Sequence, residues 1–421
     1  MTSTLDPCRP AGQLDSPAAL SAPPVRPQAS TGTGTLLLLA SIVVSFLAAS
    51  SAPTPLYAVY AHEWHFTAIT TTIVFGVYAI AVLSALLVLG RISDHIGRKP
   101  VLFTALALQA MTMVVFTTAG GLDALLIGRV LQGIATGGAL GALGAAMLDV
   151  DRRRGTISNA TAPGLGTGFG ALVSGLAVQY LPAPTHLVYL MLIGVFALQA
   201  LGVARMPETV TRKPGARASL VPELAVPRHL RGAVLAAAPA LLAVWSVAGF
   251  YGSLAPSLVR QLSGSTSVAM GGLGLFVLAF VAAMATLAFD RVRPLTVMVT
   301  GIGLLSLGVL ATYLAVEEGS TVGFFAGTFV AGIGFGAGFQ GGIRTVVPLA
   351  APHERAGVLS VLYVVSYLGM GAPAVGAGVL VVHGGGLVGT SRDYTVFVVA
   401  LAALALLGLL LQRRSTRAAR A

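Results

Sequence analysis

Long apolar segments recur along the whole chain, and they constrain its fold more than any other feature. Each is about as long as the roughly 20 residues that an α-helix needs to cross a lipid bilayer. We number the segments spans 1 to 12, with approximate bounds 35–60, 68–89, 100–119, 122–148, 156–181, 184–204, 231–255, 267–289, 295–314, 320–347, 356–383 and 393–412. The sequence therefore predicts an all-α integral membrane protein with twelve transmembrane helices.

The composition excludes the main alternatives to a membrane fold. Hydrophobic residues make up 56% of the 421 residues and charged residues only 9%, whereas a soluble domain has roughly 45–50% and about 25%. A soluble fold cannot hide that much apolar surface, and a disordered chain is poor in apolar residues. The single cysteine, Cys8, rules out a disulfide-stapled scaffold.

The basic residues fall on one side of the predicted membrane. A net charge of +11 would also suit nucleic acid, but such a binder gathers its basic residues in one patch. If the amino terminus is cytoplasmic, the cytoplasmic loops and tail hold Arg91, Arg98, Lys99, Arg152, Arg153, Arg154, Arg291, Arg293, Arg355, Arg413, Arg414, Arg417 and Arg420. The outer loops hold only Arg260 and Arg392. By the positive-inside rule we expect a multi-pass protein of the plasma (inner) membrane, with both termini cytoplasmic and no nucleic-acid partner.

A proline- and arginine-rich break divides the chain into two halves. We predict a cytoplasmic linker at 205–230 between an N-terminal six-helix half (34–204) and a C-terminal six-helix half (231–412). Residues 1–33 are predicted to be a flexible cytoplasmic tail, and residues 413–421 a basic one. Similar residues recur about 200 positions apart, in the pairs Gly155 and Gly357, Gly133 and Gly332, and Asp94 and Asp290. Because matching loops lie on the same side, the repeat is parallel.

The loop after span 2 carries charged residues and glycines at a distinctive spacing: Gly90, Asp94, Gly97, Arg98 and Lys99. It resembles the signature loop Gly-x-x-x-Asp-(Arg/Lys)-x-Gly-(Arg/Lys)-(Arg/Lys) of the major facilitator superfamily, and it departs from that pattern only at His95. The resemblance covers all of the chain except the tails. It implies a secondary transporter whose two six-helix halves rock about a central site. The residues alone would also fit a plain cytoplasmic turn with positive-inside charges.

The residue types in this loop indicate what each contributes. Gly90 lets span 2 approach a neighbouring helix closely, and Gly97 permits a tight turn. Asp94 can pair with Arg98 and can also face the amino end of span 11, where free N–H groups favour an anion. We hypothesise that the loop is a gating latch, which ties the two halves together on the cytoplasmic side in the outward-facing state.

Span 4 carries an arginine within the membrane. Arg129, Gln132 and Gly133 resemble the Arg-x-x-Gln-Gly motif of the superfamily's proton-coupled members. Arg129 lies about two turns inside the outer end of its helix, where a charge is costly unless it faces a cavity or a partner. The resemblance implies a role in proton coupling. The alternative is an arginine whose side chain snorkels to the outer interface.

Span 5 is rich in small residues. Gly166, Gly170 and Gly175 follow part of the superfamily's antiporter signature, Gly-x-x-x-Gly-Pro-x-x-Gly-Gly, but Ala171 and Ser174 replace a proline and a glycine. Two interpretations stay open. One is proton antiport, and the other is close helix packing, which small residues serve in membrane proteins generally.

Two shorter motifs are similar to those of the superfamily's twelve-helix drug/proton antiporters, which act in efflux. One is Ala52-Pro53-Thr54-Pro55-Leu56-Tyr57 in span 1, and the other is Pro207-Glu208-Thr209 after span 6. Prolines bend or end helices in any protein, and a glutamate just beyond the membrane needs no special role.

The resemblance also implies that spans 1, 4, 7 and 10 line a central cavity. Polar and aromatic side chains there suit a large amphipathic ligand, and the candidates are Ser45, Trp245, Tyr251, Phe335 and Gln340. Any of them could instead pack between helices. No Asp or Glu lies at the middle of a predicted span, so we do not expect a buried carboxylate to carry the proton.

These features predict a transporter that exports a hydrophobic or amphipathic small molecule, coupled to protons. Export of a sugar or metabolite is the alternative within the superfamily, and a transport-inactive membrane receptor is the alternative of another class. The two lysines, Lys99 and Lys213, form no phosphate-binding loop, and no cluster of His and acidic residues suggests an enzyme or a metal site. We therefore expect no enzyme activity, no cofactor, no metal and a monomer.

Overall fold

The computed structural model describes residues 32–264 and 267–418, and among these it contains helices and no β-strand. Twelve of the described helices are long and apolar enough to cross a membrane, which confirms the predicted fold class of a multi-pass, all-α membrane protein. Spans 1 to 12 are Thr33–Tyr57, Ala68–Leu89, Arg98–Thr117, Leu122–Val150, Arg152–Tyr180, Thr185–Arg205, Arg228–Ser253, Val268–Ala288, Pro294–Glu317, Thr321–Leu349, Arg355–His383 and Gly386–Leu411. Most of these bounds lie within a few residues of the predicted ones.

Successive spans run in opposite directions, so the helix bundle has two faces. We call the face that carries the 90–97 loop and residues 206–227 the linker face, and the opposite one the far face. Between Arg205 and Arg231 the chain forms only the short 3-10 turns Ala218–Leu220 and Arg228–Leu230. The predicted tail at 1–33 lies almost wholly outside the described residues, and the last helix continues through the basic segment to Ala418.

Span 12 begins earlier than the sequence predicted. Gly385 and Gly386 have φ angles of +97° and +73°, which glycine adopts without a steric cost, so the chain reverses in a very short turn. The helix then starts at Gly386 rather than at residue 393. Arg392, predicted to lie in an outer loop, is inside this helix and pairs with Asp393 at 3.1 Å.

Prolines interrupt spans 1 and 7 near the far face. The first helix ends at Ser51 and a second runs from Pro53 to Glu63. Likewise, a helix ends at Ser253 and the next runs from Ala255 to Ser263, with Pro256 in its first turn. Because a proline has no N–H to donate to the carbonyl four residues earlier, each interruption leaves a carbonyl without its helical partner. The two breaks occupy matching places in the two halves.

The two halves meet along two helix pairs, span 2 with span 11 and span 5 with span 8. Small residues allow these helices to approach closely. A Cβ added at Gly76 would lie 3.0 Å from Val375, and one at Gly164 would lie 2.9 Å from the Ala279 carbonyl oxygen. We call these two pairs the half–half seams.

Contacts between the halves extend from the middle of the bundle to the far face. Thr54 Oγ1 donates to the Gly252 carbonyl at 3.2 Å, and the Ala269 N–H donates to Gln179 Oε1 at 3.3 Å. At the linker face, the hydrogen bonds and ion pairs of the described residues join groups within one half, or join a half to the linker. In this conformation the two halves therefore touch on the far-face side, and the far face is closed.

Candidate functional site

The loop after span 2 folds into one helical turn followed by a sharp reversal. The turn is Ser93–Ile96, and Gly97 follows it with a φ of +107°, a conformation that other residues rarely adopt. Span 3 begins at once with Arg98. Gly97 therefore makes the tight turn that its sequence context predicts. Gly90 packs against span 4, since a Cβ added at Gly141 would clash with its carbonyl group.

Arg98 is the buried centre of this loop. Its side chain is only 6% exposed, and its guanidinium pairs with Asp94 at 2.6 Å and with Asp149 at 3.4 Å. It also donates to the Ser93 hydroxyl. Asp149 lies at the linker-face end of span 4, so Arg98 joins the loop to that helix. Burying a charge without partners is costly, and here two carboxylates pair with the guanidinium.

Asp94 contacts the linker instead of span 11 in this conformation. Its carboxylate pairs with Arg98, and its backbone carbonyl accepts a hydrogen bond from the Lys213 N–H at 3.1 Å. Among the described residues, the polar contacts of Asp94 do not include the amino end of span 11. The predicted latch to that helix belongs to the opposite conformation, and it stays a prediction.

Glu208 has a specific role that the sequence interpretation missed. Its carboxylate accepts hydrogen bonds from the backbone N–H groups of Arg98 at 2.9 Å and Lys99 at 3.2 Å. These N–H groups open span 3 and have no helical acceptor, and an anion at a helix amino end is favourable. A Cβ at Gly97 would lie 2.6 Å from Glu208 Oε2, so the glycine also makes room for this cap. Lys99 Nζ donates to the Ala204 carbonyl at 3.1 Å, nearby on span 6.

Arg129 is buried inside the N-terminal half with 1% of its surface exposed. It donates to the Ser50 carbonyl at 2.8 Å, to Gln132 Oε1 at 2.7 Å, and to the Tyr57 hydroxyl. In the described part of the chain it has no carboxylate partner, and its Nε atom has no hydrogen bond. The side chain does not reach the outer interface, so the snorkelling alternative is wrong.

Aromatic rings take the place of a counter-ion around this guanidinium. Its central carbon lies 5.5 Å from the ring centroid of Tyr57, 5.3 Å from that of Tyr78 and 6.0 Å from that of Phe116. A cation over an aromatic face is attracted by the ring quadrupole, most strongly when water is excluded. The site therefore keeps a positive charge in the membrane with neutral partners alone.

Gln132 completes the proline break in span 1. Pro53 cannot donate to the Ala49 carbonyl, and Gln132 Nε2 donates to that carbonyl at 3.0 Å. Arg129 binds the next carbonyl, that of Ser50. Two motifs that the sequence presents separately, the prolines of span 1 and the Arg-x-x-Gln of span 4, thus form one hydrogen-bonded unit.

The motif glycines mark close helix crossings. A Cβ added at Gly133 would clash with Ala81 of span 2, and those at Gly166 and Gly170 would clash with the backbone of span 1. At Gly175 it would lie 3.1 Å from the Cα atom of Ala269 across the span 5 and span 8 seam. The packing interpretation of these glycines has direct contacts behind it, whereas their antiport role stays a prediction.

Trp245 and Phe335 belong to an aromatic cluster on spans 7, 10 and 11 of the C-terminal half. The Trp245 ring centroid lies 6.2 Å from that of Phe335, 5.5 Å from that of Phe339 and 5.4 Å from that of Tyr367. We call these four rings the aromatic cluster. Gln340 follows Phe339 directly, and its Oε1 atom is buried without a hydrogen bond.

Ser45 and Tyr251 lie elsewhere, and their predicted place in the central cavity needs correction. Ser45 Oγ donates to Gln199 Oε1 at 2.8 Å, inside the N-terminal half between spans 1 and 6. The Tyr251 hydroxyl is 2.7 Å from that of Thr328, and Tyr251 lines a small cleft between spans 7, 9 and 12. Sequence position gives the helix of a side chain but leaves open which neighbour that side chain faces.

Comparison with known proteins decides the family. The Major Facilitator Superfamily profile matches residues 37–372, most of the chain. The chain belongs to the Major Facilitator Superfamily. Its fold is similar to that of the nucleoside transporter NupG, with a TM-score of 0.67 at 14% identity over 89% of this chain and 99% of that one.

A second similar structure is a bacterial homologue of the human lysosomal transporter Spinster, solved in inward-facing conformations. In its unoccupied form the TM-score is 0.70 at 16% identity, and in its occupied form 0.69 at 15%, each over 89% of this chain and 96% of that one. At these identities the likeness establishes the fold. The superfamily is one of transporters of small molecules, so its match over residues 37–372 makes this chain a transporter rather than an enzyme.

In Major Facilitator Superfamily proteins the two halves are parallel repeats, and substrate binds near the bilayer midplane where they meet. In this member the aromatic cluster lies on the C-terminal half, beside the seam of spans 2 and 11. Phe75 and Ala79 of span 2 pack with Met370 and Ala374 of span 11, and Trp245 lies against them. Phe75, Phe339 and Tyr367 were not among the sequence candidates, because hydropathy does not distinguish a ring facing the cavity from one facing lipid.

Proposed function

We propose that this superfamily member exports a hydrophobic or amphipathic small molecule in exchange for protons, by alternating access. The observation that carries the proposal is Arg129, a cation held in the membrane interior by neutral groups. Such a charge is expensive, and within membranes it marks ion pathways and substrate sites. Its contacts to the broken part of span 1 connect it to a helix that lines the central cavity in this superfamily.

The aromatic cluster supports a hydrophobic or amphipathic substrate. Rings bind ligands through large apolar area, while a few polar atoms fix orientation. Trp245, Phe335, Phe339 and Tyr367 are each only partly buried, although they lie well inside their spans. Their accessible faces offer a surface for an apolar molecule that enters between the halves.

Proton exchange, in this proposal, operates through electrostatics. A fixed positive charge in a region of low dielectric disfavours a second positive charge nearby. A protonated group that approaches Arg129 is therefore driven to release its proton, and it takes one up again when rocking of the halves increases the distance. Since the described spans hold no mid-span carboxylate, the carrier is an acid from a helix end, a histidine or a water molecule.

Reconstitution into proteoliposomes with an imposed pH gradient tests the proposal. A panel of amphipathic dyes and drugs, sugars and nucleosides would be measured for movement with the gradient present and after a protonophore collapses it. We expect gradient-dependent movement of amphipathic compounds, with proton flux in the opposite direction. Movement that continues unchanged after collapse would remove proton coupling.

The alternatives predict different outcomes of the same assay. Gradient-dependent movement restricted to sugars or nucleosides would favour the metabolite exporter. Binding without movement of any compound would favour the transport-inactive receptor. Arg392→Lys is the control for an arginine-to-lysine change at Arg129. Arg392 is exposed near the far-face end of span 12, so this substitution is expected to leave transport unchanged.

A further inference from the structure

The aromatic cluster contains a hydrogen-bond donor with no acceptor. Trp245 Nε1 is buried and has no partner among the described residues. An indole nitrogen is only a donor, and a buried donor without an acceptor is unfavourable, so most such groups in proteins are paired. A molecule that enters among the rings can supply the missing acceptor.

A second unpaired atom lies close by in the chain. Gln340 Oε1 is also buried without a hydrogen bond, one residue beyond Phe339, whose ring centroid lies 5.5 Å from that of Trp245. Buried polar atoms of native proteins are mostly hydrogen-bonded, so two unpaired atoms on the helices of one ring cluster call for an explanation. Two hydroxyls of the same half are paired by contrast: Ser246 donates to the Gly369 carbonyl at 3.1 Å, and Tyr394 donates to the Ser246 carbonyl at 2.7 Å.

The surroundings of the cluster are uncharged. Spans 7, 10 and 11, which supply it, and span 2, which packs against it, carry Asp, Glu, Lys or Arg only near their linker-face ends, at Arg228, Arg231, Arg344 and Arg355. Arg344 is occupied by the carbonyls of Phe289 and Val292, both at 3.1 Å. These helices offer no carboxylate near the cluster, so a cationic ligand would lose its hydration without compensation from them.

From the ring geometry, the unpaired donor and the missing charge, we propose that the substrate of this site is an uncharged, planar aromatic molecule whose hydrogen-bond acceptor pairs with Trp245 Nε1. This inference rests on the proposed transport function and specifies its substrate class. The molecule stacks among the four rings, because offset and edge-on ring contacts add to the energy of apolar burial. Because Trp245 and Tyr367 of the cluster pack against Phe75 and Ala79 of span 2 in the other half, binding there also responds to movement of the halves.

The chain offers a direct optical assay. It has only two tryptophans, Trp64 and Trp245, and Trp64 stacks on Tyr60 near the far face, with ring centroids 4.6 Å apart. In Trp64→Phe the full-length protein keeps Trp245 as its single tryptophan. Quenching of its emission then reports binding at the cluster.

Three probes of nearly equal size, used at pH 8, separate the contribution of the hydrogen-bond acceptor from that of charge. Quinoline is uncharged and carries a ring nitrogen acceptor, naphthalene lacks the acceptor, and N-methylquinolinium carries a fixed positive charge. We expect saturable quenching by quinoline, an apparent Kd for naphthalene about three- to ten-fold weaker, as the loss of one hydrogen bond predicts, and no saturable quenching by N-methylquinolinium. Equal Kd values for quinoline and naphthalene, or tighter binding of the cation, would overturn the inference.

Two further measurements separate this inference from the proposed function. Trp245→Phe keeps a ring but removes the donor, so dialysis of radiolabelled quinoline should show its Kd rise to the naphthalene value. In proteoliposomes with a pH gradient, transport of other compounds without any quenching of Trp245 would overturn the inference and leave the function standing. Saturable quenching by quinoline without transport of any compound would support binding at the cluster and remove the transport function.

Discussion

Arg129 and Gln132 lie on one face of span 4, three residues apart, and bind adjacent carbonyls of span 1. The guanidinium reaches the Ser50 carbonyl, the Gln132 amide and the Tyr57 hydroxyl together. A planar fork of donors makes this possible, and a lysine ammonium on its flexible stem does not match it. The sequence could indicate the buried arginine from its place in the span. Its neutral partners depend on tertiary contacts that no local pattern contains.

Replacing Arg129 by lysine tests whether geometry or charge alone matters. We expect Arg129→Lys to insert and fold but to lose at least ten-fold in gradient-driven transport, because the ammonium keeps the charge and loses the fork. The measurement is initial rate in proteoliposomes at matched protein density. A normal rate in this variant, alongside the exposed control Arg392→Lys, would show that the shape of the guanidinium is irrelevant.

Glu208 gives a second prediction at this scale. Glu208→Gln should lower the stability of the N-terminal half by about 1–2 kcal/mol, because a charged cap on the first N–H groups of span 3 is weakened. Thermal unfolding followed by size-exclusion chromatography measures the shift in Tm. The matched control is Glu223→Gln, which removes a partly exposed ion pair with Arg91 worth about 0–1 kcal/mol. A larger shift in the control would contradict the capping role.

At the scale of elements, the two broken helices contact each other. Pro256 leaves the Gly252 carbonyl of span 7 without its helical donor, and Thr54, inside the break of span 1, donates to that carbonyl at 3.2 Å. The corresponding carbonyl of span 1, that of Ala49, is satisfied within its own half by Gln132. The breaks thus place one hydrogen bond across the halves where the far face is closed.

Removing that hydrogen bond should favour opening of the far face. Thr54→Val keeps the shape of the side chain and removes the donor, so we expect the far-face-open population to rise about two- to ten-fold, as the loss of one hydrogen bond predicts. The readout is the labelling rate of a single cysteine that replaces Thr72, a residue of similar size buried against Gly378 in the span 2 and span 11 seam, in a Cys8→Ser background. Thr117→Val is the control, because the Thr117 hydroxyl bonds the Met113 carbonyl of its own helix.

Much of the element order could be predicted from hydropathy and proline positions. Eleven spans begin within a few residues of the predicted starts, because an apolar run of bilayer length has few other structures open to it. Span 12 begins earlier than predicted, because Gly385 and Gly386 adopt positive φ angles and so allow a very short turn. The partner of each helix was beyond the sequence: Ser45 faces span 6 and Trp245 faces span 11, and both lay on helices predicted to line the cavity.

At the scale of the whole molecule, the two faces differ in how the halves are held. The far face has direct contacts across both half–half seams. At the linker face, the linker itself contacts both halves: Glu223 pairs with Arg91, and a Cβ at Gly357 would lie 3.0 Å from the Ala225 carbonyl oxygen. Closing the linker face must therefore displace this segment, and the hypothesised latch around Asp94 would form only then.

The variant Asp94→Asn tests the latch. In the unmodified protein the Asp94 carboxylate pairs with the buried Arg98 at 2.6 Å. We expect the same carboxylate to hold the halves together in the outward-facing state. We predict loss of most transport with normal expression, and a population shifted toward the far-face-closed conformation described above. Transport rate and far-face cysteine labelling are the readouts. Asp123→Asn, at the far-face end of span 4, is the control, and full transport by Asp94→Asn would refute the latch.

Thr54 donates to the Gly252 carbonyl that Pro256 leaves without a helical donor. Positions 54 and 256 should therefore evolve together. A residue other than proline at position 256 would have an N–H that can donate to the Gly252 carbonyl. The hydrogen bond from the Thr54 hydroxyl would then no longer be needed. Selection on position 54 should then relax. Among related chains, a hydroxyl at the first position should accompany proline at the second, and the two should be lost together. An alignment would show this as covariation between opposite halves of the repeat.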